Sequence, residues 1–287
     1  MQQLLVRHFA GGDALFSGVA LVALAAGCGW YFRSGWRRRG VRLAGMLGGA
    51  IVAVSAVPLP NWLYALGGFA AIAWLATLGG AARTRRFAFA ALLIAWCAAA
   101  AGIEIAFRTR PILPGRTFPR LVVIGDSLSA GIDARNDSAW PALFARATGV
   151  EVVDLSQAGA TARSAFDQAA RLDHDAALVL VEIGGNDLLG GRSSAEFGDD
   201  LERLLRSLAG SNRGIVVMEL PLPPFHNGYG RRQRELAARH GAAMIPRRDL
   251  ARALFTSGAT VDDLHLSDAG HAVLAETLRR RLADRLR

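Results

Sequence analysis

Residues 121–131 read LVVIGDSLSAG, and this stretch decides the fold of the second half of the chain. Its first four residues are an apolar run rich in β-branched side chains, which is typical of a strand buried in a sheet. Gly125 and two polar residues end the run, and the small residues that follow favour the start of a helix. The order of strand, turn and helix predicts a parallel sheet covered by helices on both faces.

The same alternation continues toward the C-terminus. Three more strands are predicted at residues 150–155, 177–183 and 214–220. Helices are predicted at residues 139–147, 161–172, 195–208 and 230–240, and from residue 267 or 268 to 286. Roughly 170 residues is an ordinary size for one such domain. Ligands of these folds bind beyond the carboxyl ends of the strands, so the residues that follow each strand are the candidates for a functional site.

Composition sets the first half of the chain apart. The 287 residues are 52% hydrophobic and only 20% charged, which is too apolar for a plain soluble enzyme. The net charge of +9 lies entirely in residues 1–110, with 11 arginines and two acids, whereas residues 111–287 hold 22 of each. A charge confined to the apolar half does not indicate a nucleic-acid partner. Two cysteines exclude a disulfide framework and a cysteine-rich zinc module.

Residues 1–110 are predicted to be a membrane region. A spanning helix needs about 20 mostly apolar residues. Four segments meet this length rule, at about 14–32, 41–57, 62–82 and 87–107. Residues 111–118, rich in proline, form a predicted linker, and the α/β domain occupies residues 119–287.

Single residues of the membrane region have simple interpretations. Glu104 lies near the outer end of its span, where a carboxylate reaches the interface. Cys28 and Cys97 are expected to be small buried side chains. Residues 1–28 could instead be a signal peptide that ends at a lipoprotein-like cysteine, but three further spans argue against cleavage there.

Arginine placement predicts the orientation of the spans. Eight arginines lie in two loops on one side: Arg33, Arg37, Arg38, Arg39, Arg42, Arg83, Arg85 and Arg86. Five lie on the other side: Arg7, Arg108, Arg110, Arg116 and Arg120. Arginine-rich loops stay in the cytoplasm. Both termini, and everything after residue 107, are therefore expected outside.

Polar or small residues follow the predicted strands in a consistent order. Ser127 follows the first strand, Gly159 the second and Asn186 the third, and Asp262 and His265 precede the last helix. Taken singly, a serine is usually a helix cap, an asparagine a turn residue and a histidine a packed or surface side chain. All of them in this order, at one end of the sheet, indicate a nucleophile with a base and donors for an oxyanion.

These residues resemble the four blocks of the SGNH or GDSL hydrolase superfamily. The matching blocks are residues 124–131, Gly159, residues 184–187 and residues 262–265. The first block and residues 229–232 are similar to the lysophospholipase, thioesterase and arylesterase branch. Leu266 stands where proline often follows the family histidine. The resemblance covers about residues 119–287, leaves out the four spans, and implies a flavodoxin-like three-layer α/β domain.

The resemblance and the chemistry of the residues imply the same roles. Ser127 is the expected nucleophile, His265 its base, and Asp262 the acceptor that fixes the imidazole tautomer. The N–H groups of Ser127 and Gly159 and the side-chain amide of Asn186 form the expected oxyanion hole. Asp263 is expected to be solvated or to cap a helix. The chain has no metal-binding motif and no lysine for a phosphate-binding loop, so neither metal nor cofactor is expected.

The sequence thus predicts a membrane-anchored serine hydrolase of the bacterial inner membrane, with its catalytic domain in the periplasm. Its expected substrates are small-molecule or lipid acyl esters, such as short-chain esters, lysophospholipids or thioesters. One alternative is an acyltransferase that modifies an envelope glycan, but four spans are few for a transporter of acyl donors. A second alternative is a catalytically inactive binding protein, which the complete set of site residues disfavours.

Overall fold

A computed structural model describes residues 2–31, 35–79, 82–132, 134, 138–173, 175–262 and 265–287. The chain forms two compact units. One contains residues 8–110 and is helical, and the other contains residues 111–222 and 228–287 and is an α/β domain.

The described residues of the N-terminal part of the chain form five helices. They are α1 (Gln2–Ala10), α2 (Ala14–Tyr31), α3 (Gly35–Val54), α4 (Asn61–Thr77) and α5 (Arg83–Thr109). Helix α2 packs against α3 and α5, and α4 packs against α5. Glycines permit the closest approaches: a Cβ atom at Gly18 would lie 2.9 Å from the carbonyl oxygen of Gly48, and one at Gly67 would lie 2.3 Å from the ring of Trp96. Small residues at such crossings are typical of helices that pack within a membrane.

A buried arginine joins one end of α5 to the start of α2. Arg108 donates to Glu104 over 2.8 Å, to Asp13 over 2.6 Å and to the carbonyl oxygen of Gly11 over 3.0 Å. The start of α2 and the end of α5 therefore lie at the same end of the helical unit. The arginine-rich segment of α3 follows the end of α2, and that of α5 lies at the start of α5, so both segments lie at the helix ends remote from Arg108. Arg33 lies outside the described residues.

The helices correspond only in part to the predicted spans. Among the described residues, Arg83–Thr109 is the one helix that is long and apolar enough to cross a membrane by itself. The segments Gln3–Ala10 and Ala14–Gly29, bent by 81° at the break between them, meet the same criterion when taken together. Helix α3 carries four arginines in its first two turns, and α4 has 17 residues. A membrane region of four spans therefore stays a prediction.

The α/β unit contains a parallel sheet of five strands. They are β1 (Arg120–Gly125), β2 (Glu151–Asp154), β3 (Ala177–Glu182), β4 (Arg213–Met218) and β5 (Ala243–Ile245). Their order in the sheet is β2-β1-β3-β4-β5. Leu121 pairs with Val152 on one side and with Leu178 on the other. β2 is thus added on one side of β1 and the later strands on the other, so the strand order reverses at β1. The carboxyl ends of β2, β1 and β3 are neighbours there, and ligands of this class of fold bind at such a point.

In the part of the α/β unit that the structure describes, eight helices cover the sheet or form its turns. They are α6 (Ser127–Ala130), α7 (Trp140–Thr148), α8 (Ala165–Ala169), α9 (Gly185–Leu189), α10 (Ser194–Leu208), α11 (Asn227–Arg239), α12 (Arg247–Leu254) and α13 (Asp268–Leu282). Helices α7, α12 and α13 enclose a core cluster on one face of the sheet, and α8 and α10 pack on the other. β1, β3 and most of β4 are buried on both faces, which explains their continuous apolar runs. The predicted three-layer α/β fold with a parallel sheet is confirmed.

Several predicted boundaries in this unit are wrong. The helix predicted at residues 161–172 is reduced to α8, because Thr161 and Ser164 bond each other's backbone N–H groups with their hydroxyls and form a turn instead. The last helix ends at Leu282 and not at residue 286, because Phe118 pairs with the backbone of Arg285 and Arg287. Neither β5 nor α12 was predicted, since β5 has only three residues and α12 is rich in arginine.

Candidate active site

Ser127 lies at the turn between β1 and α6. Asp126 caps α6, because its side chain accepts a hydrogen bond of 3.0 Å from the backbone N–H of Leu128. Ser127 is then the first residue of the helix, where a backbone N–H has no acceptor within the helix. Its side chain is half-buried. This geometry presents a hydroxyl and a backbone donor together at the carboxyl end of β1.

A buried amide holds this turn in place. The side chain of Gln168 on α8 accepts a hydrogen bond of 3.0 Å from the N–H of Gly125 and donates one of 2.9 Å to its carbonyl oxygen. Gly125 has no room for a side chain, since an added Cβ would lie 2.7 Å from the hydroxyl of Ser129 and 2.8 Å from that of Ser156. Close packing therefore requires glycine at position 125, two residues before Ser127.

The turn after β2 carries the second predicted element of the site. Gly159 is exposed and has a φ of +73°, a conformation that favours glycine. The residues that follow are tied to α9: the carbonyl oxygen of Ala160 accepts from Asn186 over 3.0 Å, and Asp187 accepts from the N–H of Ala162 over 2.8 Å. Burial raises the pKa of Asp187, and the hydrogen bond from Ala162 opposes that shift.

Asn186 connects the turns that follow β2 and β1. Besides its bond to Ala160, its amide Nδ2 donates to Asp126 Oδ2 over 3.3 Å. Asn186 is half-buried in the first turn of α9. Gly184, which precedes α9, has a φ of +118° and packs so closely that a Cβ atom would lie 2.7 Å from the ring of Phe197. The amide predicted to bind an oxyanion is thus held beside the nucleophile turn.

Asp262 and His265 share one loop before α13. The Nδ1 atom of His265 lies 2.8 Å from Asp262 Oδ2, and the backbone N–H of His265 donates to Asp262 Oδ1 over 2.7 Å. The loop is closed by a backbone bond of 2.9 Å from Val261 to His265 and by a bridge between Thr260 and Leu266. With Nδ1–H directed to the carboxylate, Nε2 is left as the basic nitrogen. Asp263 lies outside the described residues.

The histidine loop reaches the nucleophile turn. The charge of His265 acts on the carboxyl of Asp126 and opposes the rise in pKa that burial causes there. Asp126 immediately precedes Ser127. The structure therefore brings Ser127, Asn186, His265 and Asp262 to the same edge of the sheet, beside the turn that contains Gly159.

A pair of buried carboxyls behind the turn was not predicted. Glu182 ends β3 and is fully buried, and Asp126 is 3% exposed. Burial raises the pKa of both groups, that of Glu182 well above its ordinary value, and the charge of Asp126 adds to the shift of Glu182. An acidic residue at the end of the apolar run 177–183 is the sequence signal that could have identified this group.

His271 has a structural environment. It is fully buried in α13, and its Nδ1 accepts a hydrogen bond of 3.2 Å from the N–H of Trp140. Burial lowers its pKa, which keeps the ring neutral. Among the described residues, no group of three or more histidine, cysteine or acidic side chains could hold a metal ion.

The order of the strands and the positions of the polar residues after them define a hydrolase domain of the SGNH type, with an α/β fold. Residues 123–273 match the GDSL-like lipase/acylhydrolase family, and the chain belongs to that family. The match runs from β1 to α13 and contains all five predicted site residues.

Curated relatives are enzymes that act on esters. The chain is 34% identical over 119 residues to thioesterase 1/protease 1/lysophospholipase L1 of Escherichia coli and covers 56% of that protein and 40% of its own length. It is 31% identical over 124 residues to an arylesterase of Vibrio mimicus, covering 60% of that protein and 41% of itself. The chain thus spans somewhat more than half the length of these relatives.

Solved structures share the fold of the α/β unit. A crystal structure of TesA superposes with a TM-score of 0.54 and 25% identity, covering 58% of this chain and 99% of that one. The esterase EstA of a Pseudoalteromonas species superposes with a TM-score of 0.51 and 19% identity, covering 58% of this chain and 97% of that one. The second likeness concerns the fold alone.

Proposed function

We propose that this protein is a serine hydrolase that cleaves acyl esters through an acyl-enzyme on Ser127. The proposal depends above all on the contact between His265 and Asp262, which leaves Nε2 as the base on a loop that reaches the nucleophile turn. Membership of the GDSL-like family and the esterase names of the relatives support it.

The reaction follows from this arrangement. The Oγ atom of Ser127 attacks the carbonyl carbon while its proton passes to Nε2 of His265. Asp262 accepts the Nδ1–H bond and stabilises the imidazolium that forms. The tetrahedral intermediate collapses, the bond to the leaving group breaks, and His265 gives its proton to the departing alcohol or thiol. Water then attacks the acyl carbon while His265 takes a proton from that water. The bond between the acyl carbon and Oγ of Ser127 breaks, His265 returns the proton to Oγ, and the carboxylic acid leaves.

The developing negative charge needs donors that are already in place. The backbone N–H groups of Ser127 and Gly159 and the Nδ2 group of Asn186 supply them in this proposal. Asn186 donates at present to Ala160 and, over a longer 3.3 Å, to Asp126. An oxyanion beside Ser127 takes the place of the longer of these two bonds, while the bond to Ala160 keeps the amide in position.

Hydrolysis of p-nitrophenyl acyl esters by the purified full-length protein tests the proposal. Ser127→Ala should abolish turnover, and near-ultraviolet circular dichroism should show an unchanged fold. Asn186→Ala should lose roughly 100- to 1,000-fold in rate, as is typical when one oxyanion donor is removed. Wild-type turnover by Ser127→Ala would overturn the assignment of the nucleophile. Transfer of the acyl group to an added glycan in preference to water would indicate the acyltransferase.

Lipid esters are the substrates that we propose for this site. The E. coli relative is named a thioesterase and lysophospholipase, and the V. mimicus relative an arylesterase. A membrane anchor would keep the active site near the bilayer, which favours acyl esters that reside there. Comparison of a lysophospholipid with a soluble short-chain ester, in detergent and in liposomes, tests this preference. Faster turnover of the soluble ester in both media would contradict it.

We further propose that the helical unit is the membrane anchor. The described residues include 21 exposed large hydrophobic side chains, of which 14 lie between residues 8 and 110. Two of them are tryptophans, Trp36 and Trp62, of the type enriched at membrane interfaces. Exposed apolar surface on this scale is costly in water and is typical of contact with lipid. Helix α5, with 27 residues, is long enough to cross the bilayer.

The proposed orientation places the α/β unit in the periplasm of a bacterial inner membrane. The contacts of Arg108 set the end of α5 opposite the arginine-rich starts of α3 and α5. If the arginine-rich end stays in the cytoplasm, the chain leaves α5 on the other side.

A further inference from the structure

Glu182 is a fully buried acid that no step of the proposed reaction uses. It lies at the end of β3, directly behind the turn that carries Ser127. Its Oε2 atom accepts a hydrogen bond of 2.9 Å from the hydroxyl of Ser129 and a longer one of 3.4 Å from the N–H of Asp126. Burying an acid on the central strand is costly unless the group is paired or neutral.

The surrounding hydrogen bonds determine which form the acid takes. The hydroxyl of Ser129 accepts from the indole N–H of Trp140 over 3.2 Å, so its own hydrogen goes to Glu182 Oε2. The other oxygen, Oε1, has no donor among the described residues. Glu182 and Asp126 are both buried and lie close together, since the N–H of Asp126 is 3.4 Å from Glu182 Oε2. Two ionised carboxylates buried side by side repel each other, so we expect one of the pair to hold a proton. No cation is among the groups that shift the pKa of Glu182, so its neutral form fits the site best.

Asp126 is better placed to be the anion of the pair. Its Oδ1 accepts from the N–H of Leu128, its Oδ2 accepts from Nδ2 of Asn186, and the charge of His265 stabilises its ionised form. Asp187 is a nearby acid that opposes ionisation. A carboxylate at Asp126 thus joins the turn of Ser127 to the asparagine of the oxyanion hole.

We propose that Glu182 is a positioning residue: a neutral carboxylic acid that donates a hydrogen bond to the Asp126 carboxylate. It thereby holds the turn of Ser127 in its reactive arrangement and keeps Asn186 beside that turn until the oxyanion forms. This inference rests on the proposed function, since it concerns the same site. It assigns to the end of β3 a role that the four-block motif does not contain. Loss of the proton would place two carboxylates side by side and loosen the turn.

Two substitutions at Glu182 separate hydrogen bonding from bulk. Glutamine keeps the shape, and its amide N–H can donate to Asp126 while its oxygen accepts from Ser129. Alanine removes both functions. In the full-length protein we expect Glu182→Ala to lower kcat for p-nitrophenyl esters by about 100-fold, the size of effect that a small misplacement of reacting groups produces. We expect Glu182→Gln to stay within several-fold of wild type, with KM nearly unchanged in both variants.

Infrared difference spectroscopy reports the proton without reference to activity. At mildly alkaline pH the wild type should show the carbonyl stretch of a protonated carboxylic acid, and Glu182→Gln should lack it. The kcat of wild type should also decline at alkaline pH, and that of Glu182→Gln should decline less. Glu219→Gln is the matched control, because Glu219 is also fully buried and directly follows β4. Unlike Glu182, it accepts a 2.7 Å hydrogen bond from the guanidinium Nε of Arg234, and it accepts one of 3.0 Å from the backbone N–H of Arg247. Glu219→Gln should show the same carboxylic acid band and the same dependence of kcat on pH as wild type.

The outcomes are distinct. Equal loss of kcat in Glu182→Gln and Glu182→Ala, with both proteins folded by circular dichroism, would overturn the inference. So would full kcat in Glu182→Ala, or an acid band that persists in Glu182→Gln. Failure of the proposed function would look different: wild type itself would be inactive, or Ser127→Ala would be as active as wild type, whatever the infrared band shows.

Discussion

Asp126 is the residue on which the contacts of the site converge. It caps α6 through Leu128, accepts from Asn186, and directs its backbone N–H to Glu182. One short acidic side chain therefore fixes the start of the helix that carries Ser127 and the asparagine that faces it. These contacts explain why an aspartate precedes the serine of the Gly-Asp-Ser-Leu motif in this molecule.

Asp262→Asn tests the tautomer of the proposed base. Asparagine can donate to Nδ1, which leaves Nε2 protonated and unable to accept the serine proton. We expect kcat to fall by about 10,000-fold, as in a serine protease triad altered in the same way. Steady-state hydrolysis at fixed pH measures it. Asp263→Asn is the control, since the sequence predicts no role for that neighbour, and equal losses in the two variants would refute the choice of Asp262.

The paired carboxyls predict how stability depends on pH. Both pKa values are raised on folding, so the folded state binds more protons than the unfolded chain, and stability falls as pH rises. For Asp126 the loss of stability begins near pH 3.8 and is complete above about pH 6. For Glu182 the loss extends to higher pH. Each proton accounts for up to about 1.4 kcal/mol per pH unit.

Unfolding in detergent, followed by tryptophan fluorescence at several pH values, measures this dependence. We expect the free energy of unfolding to decline less steeply with pH in Glu182→Gln than in wild type, because one titrating group is gone. Identical slopes in the two proteins would show that Glu182 does not bind a proton on folding.

The sequence identified the residues that we propose to contact a substrate, but not the residues that support them. Ser127, Asn186 and His265 follow strands or precede a helix in a recognisable order, and local pattern is enough to find them. Glu182 and Gln168 act across 53 and 43 residues, on Ser129 and Gly125 respectively. Such contacts depend on how the strands are ordered in the sheet, which the pattern of single residues does not contain.

At the level of elements, the loop before α13 determines where the histidine lies. Ser267 caps α13 through Gly270 and donates to the carbonyl oxygen of Gly258, which closes the loop on itself. Gly270 allows the helix to approach Ala259 so closely that a Cβ atom would lie 2.1 Å from the carbonyl oxygen of Ala259. The helix and the loop are therefore one packed element.

Gly270→Ala should destabilise the α/β unit. Alanine favours helices, but here its methyl group meets backbone that cannot move aside, so we expect a loss of about 1–3 kcal/mol, as for other overpacked sites. The melting temperature of the full-length protein measures it. Gly198→Ala is the matched control in α10, where the added methyl group would meet only the Arg232 side chain at 3.1 Å. A melting temperature in Gly270→Ala as high as in that control would contradict the packing argument.

The elements that were not predicted from the sequence are mostly too short to show a hydrophobic period. β5 has three residues, enough to pair with β4 but too few to show a strand period. Helices α6 and α9 have four and five residues and exist because the turns after β1 and β3 wind into one helical turn. The long strands β1 and β3, buried on both faces, were predicted to within one residue.

At the scale of the whole molecule, the proposed membrane anchor predicts which side of the membrane the α/β unit faces. The helical unit has its arginine-rich segments at one end and the exit of α5 at the other. A reporter active only in the cytoplasm, fused after Arg287, should be silent, whereas a periplasmic reporter should be active. The reverse pattern would place the hydrolase in the cytoplasm and would mean that the number of spans is odd.

The central claim is that Ser127 forms a covalent intermediate under the control of His265 and Asp262. Labelling of the intact protein with a fluorophosphonate, followed by mass spectrometry of its peptides, tests it most directly. We predict one adduct, on Ser127, that forms quickly in wild type, slowly in Asp262→Asn and not at all in Ser127→Ala. An adduct on another serine, or equal labelling of Ser127→Ala, would contradict the account.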